Sequence, residues 1–330
     1  MHSAKMTAAY SAGHFLIDFA CAFLMLRYVR DTAAWLDAVL LYNALAFAGQ
    51  APIGLLADRF GNGKYFAAGG CVLVASAFLL SGAPLALAVT AGLGNALFHI
   101  GGGRDTLAVS KGRAAALGVF VSPGALGLFI GTLLGKGTFP ALPVPALLIL
   151  AAGCILILCG RVEAEPVTFD LHGGAAAALL ALFLVVCLRS YAGFLFSFPW
   201  KVGAWAWAFI LCVVLGKTFG GVLSDRFGAA ASSAVSLGLA AALFLLSGNA
   251  VCGCLAVLLF NMTMPVTLRA AADLLPGAKG FSFGLLTVAL FLGFLPEYLG
   301  LAGVQAGWMY AALALVSLAL LLPCLKRKQT

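Results

Sequence analysis

His14 and Asp18 stand four residues apart inside an apolar stretch of the chain. On a helix that spacing puts both side chains on one face. An imidazole changes charge near neutrality, and a carboxylate held in low dielectric can take up a proton at working pH. The pair could therefore bind a proton. The other reading is a structural polar contact between the first and fifth helices. A second set runs His99, Gly101, Gly102, Gly103, Arg104. Three glycines can open a helix and expose its carbonyls, and Arg104 adds a cation beside them. His99 and Arg104 could meet a polar or anionic ligand; alternatively Arg104 snorkels to an interface. Arg189 lies past the middle of a later apolar segment and needs an anion, for which Glu297 or Asp18 would serve. Asn261 is a candidate hydrogen-bonding residue. Ionisable groups in such surroundings are costly, which makes them functional candidates.

The elements that must position these residues are long and apolar. The chain has 330 residues, 63% hydrophobic and 9% charged, against about 25% charged in a soluble domain. Twelve apolar segments can be drawn, at about 7–30, 33–57, 65–82, 84–104, 114–135, 141–160, 174–197, 200–223, 229–248, 250–272, 280–300 and 304–324. Each approaches the roughly 20 residues a helix needs to cross a bilayer. The pattern predicts an all-α membrane protein with twelve transmembrane helices in two six-helix pseudo-symmetric bundles. The expected division is residues 1–161, a linker at 162–173, and residues 174–330. The first segment carries His14 and Asp18 and has no clear small-residue cleavage site, so it reads as a helix and not a leader.

Basic residues set the expected orientation. With both termini inside, Arg27, Arg30, Lys136 and Lys201 face out, Arg189 and Lys217 lie within helices, and the other Lys and Arg residues face in. Trp35, Trp200, Trp205, Trp207 and Trp308 fall at outer helix ends. The expected setting is the cell membrane with cytoplasmic termini. The net charge of +8 is accounted for by these loops and the tail, so nucleic acid is not an expected partner. Nine scattered cysteines read as small packing residues. No run has metal-ligand spacing, and no cofactor or catalytic arrangement stands out; Gly101–Asp105 lacks the spacing of a phosphate loop.

A short pattern occurs twice. Gly54–Gly61 reads GLLADRFG, and Gly221–Gly228 reads GVLSDRFG, 167 residues later. Gly54 and Gly221 permit close helix approach. Asp58 and Asp225 end a helix and can face a neighbouring helix N-terminus. Arg59 and Arg226 are interfacial cations, and Gly61 and Gly228 allow a tight turn. The pattern resembles the loop motif between helices 2 and 3 of the major facilitator superfamily, and its echo between helices 8 and 9. That resemblance implies two parallel six-helix repeats, a monomeric carrier that alternates its access, and a gating latch at the motif. It also implies that helices 1, 4, 7 and 10 line a central cavity.

A narrower stretch, Asn95–Gly135, resembles the fosmidomycin-resistance branch of that superfamily, with Ile100 and Thr132 where the branch has proline. Gly13–Met25 is similar to the branch's opening H-F-x-x-D. Gly118–Gly127 is similar to the antiporter motif of proton-coupled exporters, with Ser122 in place of a glycine. The resemblance implies proton-coupled export of a small polar or amphipathic molecule, for which His14 and Asp18, by their own spacing and chemistry, are the candidate proton site. His99, Arg104, Arg189 and Asn261 would then contact substrate. An importer or uniporter of the same fold, or a membrane sensor or scramblase, would fit the same composition.

Overall fold

The computed structural model describes residues 2–169, 172–301 and 303–326. Asp170 of the expected linker and the basic tail residues Arg327 and Lys328 lie outside them. Among the described residues the chain is helical without strands. Twelve helices follow the twelve expected segments: α1 Ser3–Val29, α2 Trp35–Phe60, α3 Gly63–Leu80, α4 Pro84–Val109, α5 Ala115–Lys136, α6 Pro143–Leu158, α7 Ala175–Leu195, α8 Ala204–Phe227, α9 Ala229–Leu245, α10 Ala250–Leu274, α11 Lys279–Tyr298 and α12 Gly307–Lys326. All but α6 and α9 are long and apolar enough to cross a membrane. Those two have 16 and 17 residues.

Helix α6 shows what solvent these surfaces expect. It buries Val144, Leu148, Ala152 and Ile155 along one stripe, yet Leu147, Ile149, Leu150, Leu156, Ile157 and Leu158 are exposed. In water such a surface is an association hazard. In hydrocarbon it costs nothing, while backbone polar groups must be satisfied internally, as a helix does. The deviations from regular helix are local. A π-helical turn at Ala44–Ala48 interrupts α2, and there the Phe47 carbonyl accepts a hydrogen bond from Thr287 (3.0 Å). α10 breaks at Met262, next to Asn261.

The chain forms two compact units. Unit 1 holds residues 1–111, 123–168 and 277–288; unit 2 holds 112–122, 169–276 and 289–330. Each therefore takes one short segment from elsewhere in the sequence, at the start of α11 and of α5 respectively.

Within unit 1, glycines let helices meet backbone to backbone. On α3 and α4, a methyl group at Gly70 would strike the backbone of Gly94 and Phe98, and one at Gly101 would strike Gly63 and Ala67. On α5, Gly127, Gly131 and Gly135 lie against the carbonyls of Phe15, Phe19 and Phe23 on α1. Both series advance by four residues, so one face of each helix runs along the other. This is the small-residue crossing that replaces hydrophobic association inside a membrane. Unit 2 has a counterpart where Gly216 and Gly220 of α8 lie against the carbonyls of Leu258 and Met262 on α10.

A Gly101→Val substitution has no room at the α3–α4 crossing. It is expected to cost at least about 1–3 kcal/mol, the usual penalty of overpacking. The check is a thermal unfolding midpoint in detergent. A midpoint equal to that of the wild type would contradict this packing.

Candidate functional site

The glycine crossings of unit 1 bring α1, α4 and α5 together at one polar point. His14 and Asp18 project from one face of α1, with the His14 Nε2 3.2 Å from an Asp18 carboxylate oxygen. His99 comes from α4 and places its Nε2 2.9 Å from that of His14 and 3.5 Å from the other Asp18 oxygen. The two rings meet edge to face. Asn95, one turn before His99, holds both partners. Its carbonyl lies 2.9 Å from His99 Nδ1, and its amide donates to Asp18 (3.3 Å). The third wall is Gly124 on α5, where an added Cβ would meet His14 Nε2 and the Asp18 carboxylate. His14 and His99 are buried, and the Asp18 side chain keeps 21% of its surface. The triad is thus enclosed, with an opening at the carboxylate.

The hydrogen bonds constrain the protons. A backbone carbonyl can only accept, so Nδ1 of His99 carries the hydrogen, which makes its Nε2 an acceptor in the neutral ring. His14 Nε2 then supplies the proton shared by the two rings. A further proton has the Asp18 carboxylate as its nearest acceptor.

Arg104 is turned the other way. Its guanidinium meets Asp105 (2.8 Å), the carbonyls of Glu163 (2.6 Å) and Val162 (3.3 Å), and Asp58 (Nε to carboxylate 3.6 Å). His99 and Arg104, paired in the sequence reading, serve separate clusters one and a half turns apart. Asp58 is buried and accepts from the backbone N–H groups of Gly280 and Phe281, both at 2.8 Å. It therefore caps the N-terminus of α11, where unpaired N–H groups and the helix dipole favour an anion. Gly54 permits the approach, because a Cβ there would meet the Gly280 carbonyl. Gly61 has φ +68° and lies against Val162–Ala164. Asn62, also left-handed at φ +52°, donates its N–H to the Val162 carbonyl (2.7 Å). Asp105 completes the cluster, accepting from Tyr10 (2.8 Å) and from the N–H of Gly63 (3.1 Å).

Unit 2 repeats the cap. Asp225 accepts from the N–H groups of Ala114 (2.7 Å) and Ala115 (3.0 Å) at the start of α5, and Gly221 lies against the Ala114 carbonyl. The copies differ in burial. Asp58 and Arg104 keep 1% and 4% of their side-chain surface. Asp225 keeps 18%, and its nearest cation, Arg113 at 3.7 Å, keeps 74%. Arg59 and Arg226 are exposed, with Arg226 over the Phe227 ring, and Gly228 takes φ +88°.

Arg189 is buried on α7 and donates to Thr267 on α10 (3.2 Å). Within unit 2 its expected partner Glu297 makes no ion pair with it among the described residues and is exposed. The Asn261 amide turns back to the Val257 carbonyl of its own helix (2.8 Å), at the break in α10. Asn95, Gly124, Asp105 and Tyr10 were not singled out as site residues by the sequence reading. Only the even polar spacing Asn95–His99 offered a signal; the others gain meaning from which helices meet.

No protein-family model and no curated protein sequence matches the chain. Its fold does match solved structures. Against the E. coli fucose:proton symporter it aligns over 100% of both chains with a TM-score of 0.70 at 15% identity. A second structure of that transporter, in the outward conformation, gives 0.66 at 15% identity over 98% of this chain and 99% of the other. The human organic anion transporter MFSD10 gives 0.73 at 17% identity over 97% of this chain and all of its own. The chain has the major facilitator fold.

The difference between the two caps is measurable. Asp58→Asn removes one of two charge-assisted hydrogen bonds and a buried counter-charge, an expected loss of roughly 2–4 kcal/mol. Asp225→Asn is a partly exposed cap and should lose roughly 1 kcal/mol. Thermal midpoints of the two variants in detergent rank them. Equal losses, or the reverse order, would contradict the assigned burial.

Proposed function

We propose that this chain is a secondary active transporter working by alternating access, which couples the export of a small polar or amphipathic molecule to protons. The observation that carries the reading is the His14–Asp18–His99 triad. It is an enclosed set of titratable groups that already shares a proton, sits on helices of the kind that line the cavity in this fold, and opens at a carboxylate. A catalytic role is not proposed: the fold neighbours named above are carriers.

In this reading Asp18 takes up the coupling proton, with His14 and His99 as its relay and Asn95 as the residue that orients both. Arg189 and Asn261 are the proposed contacts for substrate, Arg189 because it is a buried cation whose hydrogen-bond partner in its unit is a neutral hydroxyl. Arg104 is reassigned from substrate to the latch. The caps at Asp58 and Asp225 hold one access state, with Gly54, Arg59, Gly61, Gly221, Arg226 and Gly228 as their frame. The bias of basic residues supports a cytoplasmic position for the motif loops and both termini, in the cell membrane. The export direction is supported by the likeness of Gly118–Gly127 to the antiporter motif and of Asn95–Gly135 to the fosmidomycin-resistance branch. One fold neighbour is a symporter, and that makes import the competing direction.

A thermal-shift screen of purified protein against metabolites and antibiotics would supply a substrate for proteoliposome assays. With an imposed pH gradient, wild-type protein should move it uphill. Asp18→Asn should lose uphill transport to the level of empty liposomes while keeping exchange of substrate for substrate. Full uphill transport by Asp18→Asn would refute the proton role. Uphill movement along with the proton would reverse the direction.

A further inference from the structure

We propose that the triad is also a divalent transition-metal site, taking a cation of the Zn2+ class through Nε2 of His14, Nε2 of His99 and the carboxylate of Asp18. The inference uses the same three side chains as the proton site but rests on their geometry, not on transport.

The donor atoms have the required spacing. Tetrahedral zinc binds nitrogen at about 2.0–2.1 Å and carboxylate oxygen at about 2.0–2.2 Å, so its donors stand roughly 3.3 Å apart. The two Nε2 atoms stand 2.9 Å apart, and each has one of the two Asp18 carboxylate oxygens near it, at 3.2 Å from His14 and 3.5 Å from His99. One donor from each of the three residues lies within 4.8 Å of the other two. The donors are also of the right kind. Two imidazoles and a carboxylate suit zinc, cobalt, nickel or iron(II) and not calcium or magnesium. Three protein ligands leave a fourth position open for water or cargo, and the partly exposed Asp18 side chain faces that opening.

The surroundings are those of a prepared site. A ligating histidine usually gives its other ring N–H to a carbonyl, which fixes the tautomer and aims the free nitrogen at the metal. The carbonyl of Asn95 does this for His99, and the Asn95 amide steadies the ligating carboxylate. Gly124 leaves empty the space that a Cβ would fill, directly against His14 Nε2 and Asp18. Of the other titratable groups near by, Cys21 on α1 touches Asn95 (3.7 Å) and lies outside the cluster of three donors. Tyr42 of α2 approaches Cys21.

Binding balances as an exchange. The cation takes the Nε2 lone pairs of both rings and a carboxylate oxygen: His14 moves its one ring hydrogen from Nε2 to Nδ1 and stays neutral, and a coupling proton held at Asp18 leaves to solvent. Dication and proton then exclude one another, as coupled exchange of the two would need. Sequence spacing gave no hint of this, since the donors come from two helices far apart in the chain.

Cobalt titration of purified, metal-stripped protein in detergent tests the site directly. One equivalent of Co2+ should give the intense visible bands of four-coordinate cobalt, displaced by Zn2+ and lost on acidification. Asp18→Asn and His99→Gln should abolish the bands. Asn95→Ala should weaken binding on the order of 10–100-fold, as loss of an outer-shell partner does. Gly124→Ala keeps every donor and a helix-forming residue, so it guards against loss by misfolding; it too should remove the bands while the thermal midpoint stays near wild type. Bands that survive in Asp18→Asn and His99→Gln, bands with the near-ultraviolet absorption of a cobalt–thiolate bond, or no bands in wild type would each overturn the proposal. Because the assay involves no transport, such a failure leaves the proton role to stand or fall on its own test.

Discussion

A charge in hydrocarbon must be answered by the protein itself, and that constraint organises this molecule more than any other. A single ionised group at the centre of a bilayer costs several kcal/mol. The chain carries few charges, and three carboxylates withdrawn from the surface are each met by partners. Asp58 is met by two backbone N–H groups and Arg104. Asp105 is met by Tyr10, Gly63 and Arg104, and Asp18 by two imidazoles and an amide. Such partners must come from different helices, which must then pass close together. That is what the glycine faces provide. Composition, helix crossings and polar clusters are three consequences of one solvent.

The repeated motif follows from the same constraint. A carboxylate buried at a helix end needs donors, and the first turn of another helix offers unpaired ones. Asp58 and Asp225 both use that solution, on α11 and on α5. Each cap is two hydrogen bonds to a helix terminus. The first copy is buried further, because the linker at Val162–Glu163 lays its carbonyls on Arg104.

Much of the fold could be read from the sequence. Apolar run length located all twelve helices, because in a bilayer length and hydropathy decide span. The two motif copies pointed to a duplicated plan. The i, i+4 spacing of His14 and Asp18 put that pair on one face. What could not be read was the partner across the fold. Arg104 follows three glycines and His99 in sequence, and that adjacency suggested one shared ligand. A helix turns 100° per residue, so His99 and Arg104 leave in different directions. One reaches α1, the other the linker and α2. Gly124 looked like one more packing glycine until its missing Cβ was seen to make room for the triad. Local periodicity reports which face a residue takes, while contacts between helices depend on crossings that no short window contains.

The central claim is that His14, Asp18 and His99 act as one unit in coupling protons to cargo. A double-mutant cycle on proton-driven uphill transport tests it most directly, because residues that share one proton pathway give non-additive losses. The account predicts that His14→Gln combined with His99→Gln, each of which leaves the Asp18 carboxylate in place, is no worse than either alone. Losses that multiply in the double variant would show independent roles and contradict it.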